Sequence, residues 1–150
     1  MKIPQRLEHA LAQLYTAFHS DELNPECCKQ CAVGNILGNR DMWKHLSEGP
    51  GTLRLTYVGL VHQRLGRRFQ GYTPEELLRI EAVFLEACGY ELPFGPNTHK
   101  PLDPSNKEML FNGLCAVVTF LCSLDGVEDV TDYARLFEYE GTAPKHELAL

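Results

Sequence analysis

Three cysteines lie within five residues of one another, and they are half of the six cysteines in the chain: Cys27, Cys28 and Cys31. Cysteine thiolates bind zinc and iron, and two cysteines separated by two residues have the spacing of dithiol oxidoreductases. No other segment gathers reactive side chains at a spacing that such chemistry uses. We therefore take this segment as the candidate functional site.

The residues around these cysteines predict a helix that begins at Asn24 and ends at Gly38. Asn is a favoured N-cap residue, Pro25 suits the first helical position, and glycine is a common helix stop. In this register Cys27 is at N3 and Cys28 at N4, so the three thiols share one flank of the helix. The positive end of the helix dipole would then favour thiolate over thiol.

A metal site is the first interpretation of this segment. A structural zinc site takes four ligands, and the segment supplies at most Cys27, Cys28 and Cys31. We prefer His19 as a further ligand, because the short link formed by residues 21–23 brings the end of the preceding helix toward the cysteines. The metal would be zinc or iron. Other residues that could complete the site are His9, Cys115 and Cys122.

Dithiol redox chemistry by Cys28 and Cys31 is the second interpretation. The segment resembles the AhpD-like peroxidases, all-helical proteins with a Glu-x-x-Cys-x-x-Cys-x-x-x-His motif, and this resemblance implies a redox-active cysteine pair. The chain departs from the motif at two positions. Pro25 stands in place of the glutamate, with Glu26 beside it, and Asn35 stands in place of the histidine. These departures put the proton relay of that family in doubt.

A purely structural role is the third interpretation. Cysteine is among the most buried residue types. Cys31 begins an apolar stretch suited to a core face, whereas Cys27 and Cys28 could not both point inward beside it without crowding. The sequence leaves the three interpretations open. The apolar residues that follow Cys31 on this face are Ala32, Val33, Ile36 and Leu37.

Helical periodicity elsewhere in the chain predicts an all-α fold. We expect a single domain over residues 1–150, a compact bundle of about five main helices with short helical turns. No βαβ alternation, glycine-rich phosphate loop or hairpin signal is present. The predicted helices outside the cysteine segment are 4–20, 41–46, 56–65, 73–88, 105–125 and a last short one from 131 or 132 to 137, before a flexible tail over about 141–150.

Charge and composition exclude some partners. The net charge of −6 argues against a general nucleic-acid-binding protein, which usually carries a basic excess. Neither a signal peptide nor an apolar run of roughly 18 residues is evident, so we expect no membrane partner. These features indicate a cytoplasmic protein with reduced thiols.

A non-catalytic interaction module is the alternative to a thiol site. The long segment over residues 90–104 is rich in proline, and connections of this length are often functional. The segment from Arg64 to Arg68 is the main basic cluster in an acidic chain. Together these surfaces would contact a protein partner.

Over nearly its full length the chain resembles a small family of uncharacterised bacterial helical proteins. The resemblance rests on the run Pro-Glu-Cys-Cys-Lys-Gln-Cys-Ala-Val-Gly-Asn-Ile-Leu, residues 25–37, and on residues 71–78. Some members of that family are associated by name with the ferredoxin-like component of the sodium-translocating NADH:quinone reductase. This chain lacks the Cys-x4-Cys-x2-Cys spacing of a plant-type ferredoxin domain, so that name implies no mechanism here.

Overall fold

The computed structural model describes residues 4–127, and this part of the chain contains six α-helices and no β-strand. The predicted all-α class is therefore confirmed. The predicted helix near residues 131–137 and the tail over 141–150 lie outside the described residues. The helices are α1 (Gln5–His19), α2 (Ala32–Ile36), α3 (Met42–Leu46), α4 (Tyr57–Arg64), α5 (Pro74–Cys88) and α6 (Lys107–Leu124).

Local sequence signals determine where α5 begins and ends. The Thr73 side chain accepts a hydrogen bond from the backbone N–H of Glu76 at 3.2 Å, and the Glu76 carboxylate accepts one from the backbone N–H of Thr73 at 3.0 Å. Pro74 occupies the first helical position, and the helix ends at Gly89, whose φ is 105°. This reciprocal capping was predicted from the sequence and is confirmed.

Helices α5 and α6 form the most extensive helix contact of the core, and α1 and α2 pack beside them. α6 is capped by Asn106, whose side chain accepts from the N–H of Met109 at 2.9 Å, and not by Ser105 as the predicted capping box implied. By length and apolar composition α6 could span a membrane, a property that the sequence analysis did not expect. Its buried side packs in the core against α5.

One arginine joins the ends of three helices. The Arg6 guanidinium at the start of α1 donates to the Asp125 carboxylate at 2.9 and 2.6 Å, just after α6. It also donates to the Gly71 carbonyl at 2.7 Å and lies 3.3 Å from Glu76 in the first turn of α5. This network fixes the relative positions of α1, α5 and α6 at one end of the bundle.

Close packing between α5 and α6 leads to the first prediction. A Cβ atom added at Gly113 would lie 2.5 Å from the Cys88 sulfur and 2.8 Å from the Phe84 ring, both buried. We expect Gly113→Ala to lower the free energy of unfolding by about 1–3 kcal/mol, because overpacking outweighs the helix propensity of alanine. Urea denaturation measures the change.

Asn112→Ala is the matched control, since Asn112 is exposed on the same turn of α6. It should leave stability unchanged or slightly raised. Equal stability of the Gly113→Ala protein and the unsubstituted protein would contradict this packing of α5 on α6.

Candidate functional site

The three cysteines lie in a series of turns over residues 24–31, which we call the thiol loop. Helix α2 begins only at Ala32, with Cys31 as its N-cap residue. The predicted helix start at Asn24 and Pro25 is therefore wrong, and Cys27 and Cys28 do not occupy a first helical turn.

Asn24 explains why the chain turns instead of entering a helix. Its side chain accepts a hydrogen bond from the backbone N–H of Glu26 at 2.9 Å, which is an Asx turn. Its own backbone N–H donates to the Gln30 carbonyl at 2.7 Å, so the two ends of the thiol loop are joined. The capping residue predicted to start a helix closes a loop, because that loop satisfies the same polar groups.

Two asparagine side chains hold the thiol loop from below. Asn35 is buried, and its amide donates to the carbonyls of Gln30 at 2.9 Å and Cys31 at 3.0 Å. Asn39 donates to the Lys29 carbonyl at 2.8 Å and to the Asn35 side-chain oxygen at 2.9 Å. Asn35 stands where the AhpD-like motif has histidine, and here it binds backbone carbonyls.

Helix α1 in turn supports α2. Gln13 donates to the Asn35 carbonyl at 3.0 Å, and the His9 ring nitrogen Nε2 lies 3.2 Å from the Ile36 carbonyl oxygen. His9, one of the alternative metal ligands considered above, thus binds the last turn of α2. The thiol loop is held by α2, and α2 is held by α1.

Cys31 is buried in the core, as the structural interpretation expected, together with the apolar residues that follow it. Its sulfur accepts a hydrogen bond from the Gly34 backbone N–H at 3.3 Å and lies 3.9 Å from the Cys28 carbonyl oxygen. Burial raises the pKa of the Cys31 thiol far above its ordinary value. Gly34 is needed here, because a Cβ atom would lie 2.3 Å from the Cys28 carbonyl oxygen.

Cys28 is half-buried, and so is Cys27. Burial is the largest cause that raises the pKa of Cys28, followed by the negative charge of Glu81. The expectation that the segment stabilises thiolates is therefore wrong for Cys28 and Cys31. The reason is that desolvation and a nearby carboxylate act on both thiols, and the helical first turn that was to oppose them is absent.

Glu81 is a residue of this site that the sequence analysis did not connect to the cysteines. It lies on α5, is 0% exposed, and has one carboxylate oxygen that accepts from the Trp43 indole N–H at 3.4 Å. The Gly51 backbone N–H also donates to this carboxylate, while its Oε1 atom has no hydrogen-bond partner. Burial raises the pKa of Glu81 to about 7, against 4.5 for an ordinary glutamate.

A signal for Glu81 was present in the sequence. Along α5 the buried side chains recur at helical spacing, and Glu81 occupies one of the core positions. A charged residue in such a register is uncommon unless it is paired or functional. The buried residues of that face are Leu77, Ile80, Glu81, Phe84, Leu85 and Cys88.

Residues 4–127 contain no group of three or more His, Cys, Asp or Glu side chains arranged to hold a metal ion. Cys27, Cys28 and Cys31 are thus not brought together with His19 as the metal interpretation required. His19 is exposed at the end of α1, where its ring lies 4.4 Å from the Tyr15 ring.

A cavity of about 470 Å³ opens beside the thiol loop. Glu26 lines it, and its carboxylate accepts from the Tyr90 hydroxyl at 2.8 Å and lies 3.7 Å from the Lys100 ammonium. Glu26, the acidic residue next to the position of the motif glutamate, is therefore engaged with the 90–104 segment. The other lining residues are Pro50, Phe94, Gly95, Pro96 and Thr98.

No protein-family model, curated protein or solved structure matches the chain. The two resemblances drawn from the sequence stay predictions.

The buried carboxyl group leads to a prediction for stability against pH. Between pH 4.5 and about 7 the folded state keeps the Glu81 proton that the unfolded state loses, so stability falls as pH rises through this interval and then levels. Over this interval we expect the unsubstituted protein to lose about 3 kcal/mol relative to Glu81→Gln. Urea denaturation at several pH values measures the difference.

Glu86→Gln is the control, because Glu86 is exposed on the same helix. Its stability should follow that of the unsubstituted protein at every pH. If Glu81→Gln also runs parallel to the unsubstituted protein, Glu81 does not titrate near neutrality.

Proposed function

We propose that the protein is a cytoplasmic thiol–disulfide oxidoreductase that uses Cys28 and Cys31 as its redox pair. Cys28 is the thiol that meets an external disulfide, and Cys31 is the thiol that completes the internal one. The substrate class is a low-molecular-weight or protein disulfide.

The observation that carries the proposal is the difference in exposure between two thiols of one tight loop. Cys28 is half-buried and can be reached from solvent, whereas Cys31 is only 1% exposed. The Cys31 sulfur lies 3.9 Å from the Cys28 carbonyl oxygen, so the two residues are neighbours in space as well as in sequence. An external disulfide can therefore react first with Cys28 alone.

The reaction is balanced as an exchange of two electrons. The Cys28 sulfur, once deprotonated, attacks one sulfur of the substrate disulfide, and the other substrate sulfur leaves as a thiolate. The Cys31 sulfur then attacks Cys28, and the second substrate sulfur leaves. The protein ends with a Cys28–Cys31 disulfide and the substrate ends as two thiols.

The donor set favours this function over bound zinc or iron. A structural zinc site needs four ligands, and the described residues assemble no group of three. No disulfide joins any of the six cysteines, which all lie within residues 4–127, so the pair is present in its reduced state.

Redox titration of the purified protein against glutathione tests the proposal. Alkylation of the remaining thiols followed by mass spectrometry should detect one reversible disulfide between Cys28 and Cys31. Cys28→Ser and Cys31→Ser should each abolish this disulfide, because each removes one of its sulfurs.

Cys27→Ser is the matched control, since Cys27 is half-buried in the same loop. It should keep the reversible disulfide. Thiols that stay reduced at every glutathione potential, or a couple that survives Cys28→Ser, would show that this function is wrong.

A protein-interaction surface is a second candidate function, favoured by the exposed side of α4. Only Gly59 of this helix is buried, against the Leu46 carbonyl, where a Cβ atom would lie 2.3 Å from the oxygen. Large apolar side chains face outward along and just after the helix, which is typical of a docking surface. They are Tyr57 (81% exposed), Val58, Leu60 (51%), Val61 and Leu65 (60%).

Arginines border this apolar surface and indicate what would bind it. In residues 4–127 neither Arg64 nor Arg67 has an ion-pair partner, and Arg68 lies 3.8 Å from Glu76. We propose a protein partner that presents an acidic helix with one apolar side. The 90–104 segment contributes less than expected, because the Phe94 N–H donates to the Gly51 carbonyl at 2.9 Å and its ring packs against the core.

A photo-reactive residue placed at Leu60 in host cells tests this surface. We expect crosslinks to an acidic segment of another protein, at least about tenfold weaker when Arg64 and Arg67 are both changed to Glu, since like charges repel. Crosslinks only to residues 128–150 of the same chain, only to a second copy, or none at all would each contradict an acidic partner.

A further inference from the structure

Glu81 differs from every other carboxyl group in residues 4–127 because its side chain has no contact with solvent. Two donors reach the carboxylate, the Trp43 indole and the Gly51 backbone N–H, and no cation is paired with it in this part of the chain. Burial without a counter-ion is costly for a carboxylate, which usually shifts its pKa and takes up a proton instead. Such a position indicates a chemical role.

The carboxyl group lies on the side of α5 that faces the thiol loop. Its charge raises the pKa of Cys28 and of Cys31, and for Cys31 it is the largest charge effect. The Oε1 atom has no partner, although the residue is fully buried. An acceptor without a donor thus lies within electrostatic reach of two thiols whose protons must leave before a disulfide forms.

Other charged and titratable groups around the thiols contribute less. Cys27 belongs to the same loop, and Asp41 and Lys44 flank the α3 side, where both are exposed. Lys44 lowers and Asp41 raises the pKa of Cys28, and both effects rank below that of Glu81. Neither acts on Cys31 strongly enough to be among its causes, so Glu81 is the charged residue that the buried thiol encounters.

We propose that Glu81 is the proton acceptor of the redox pair: its carboxylate takes the proton of the Cys31 thiol as the Cys28–Cys31 disulfide forms, and returns it when that disulfide is reduced. The inference rests on the proposed function, since it assigns a residue to the second step of that exchange.

Atoms and electrons balance in this step. In the mixed disulfide the Cys28 sulfur is joined to one substrate sulfur. The Cys31 proton passes to Glu81, the electron pair left on the Cys31 sulfur forms the bond to Cys28, and the substrate sulfur leaves with the electrons of the broken bond. The two cysteines lose two electrons, which the substrate disulfide gains.

The raised pKa of Glu81 suits this work at neutral pH. A carboxyl group that titrates near 7 is available as a base and also holds the proton for the return step. An ordinary carboxylate would be a much weaker base toward a buried thiol.

Rapid mixing of the reduced protein with oxidised glutathione tests the assignment. Samples quenched with acid separate the mixed disulfide at Cys28 from the internal disulfide by mass spectrometry, and so give the rate of the second step. In the unsubstituted protein this rate should rise through about pH 7 and then level. In Glu81→Gln the mixed disulfide should accumulate and the second step should slow by about 100-fold at neutral pH, without a plateau.

Glu86→Gln, on the exposed side of α5, should match the unsubstituted protein, and Glu81→Asp should restore the plateau and part of the rate. A second step of unchanged rate and pH profile in Glu81→Gln would overturn the role of Glu81 alone. If Glu81→Gln does not fold, the unsubstituted protein decides, because a rate that keeps rising above neutral pH overturns the role. Failure of the unsubstituted protein to form the internal disulfide would overturn the proposed function as well.

Discussion

A carboxyl group taken out of water loses its hydration, and Glu81 recovers only part of that loss from the Trp43 indole and the Gly51 N–H. The rest of the site is consistent with this constraint. The same exclusion of water raises the pKa of the Cys31 thiol, and the two groups raise each other's cost of ionisation. One proton can therefore be shared between a buried acid and a buried thiol, whereas two negative charges cannot easily be placed there together.

The helices hold this arrangement through backbone contacts. Asn35 and Asn39 bind carbonyls of the thiol loop, and Gly34 lets the loop lie directly on the first turn of α2. Gln13 connects α2 to α1. Since α5 supplies Glu81 and α3 supplies Trp43, the site lies where four helices meet, and none of its parts is complete within one element.

The parts of the fold that depend on neighbouring residues could be predicted from the sequence. Thr73, Pro74 and Glu76 begin α5 by bonds within four residues, and Thr56 caps α4 in the same local way. The thiol loop could not be predicted so, because Asn24 has the chemistry of a helix cap and of an Asx turn alike. What selects the turn is the hold of Asn35 on Gln30, a contact made only after α2 has formed. Glu81 shows the same limit: its register on α5 was readable, but its nearness to the thiols depends on the packing of α5 against α2.

The titration of the Glu81 carboxyl carbon, followed by nuclear magnetic resonance in the reduced and the oxidised protein, tests the central claim most directly. We predict a transition near pH 7 in the reduced protein, and a shift of that transition when the neighbouring thiols become a disulfide. A transition near the ordinary value of 4.5, or one that oxidation of the cysteines leaves unmoved, would contradict a proton shared between Glu81 and the thiol pair.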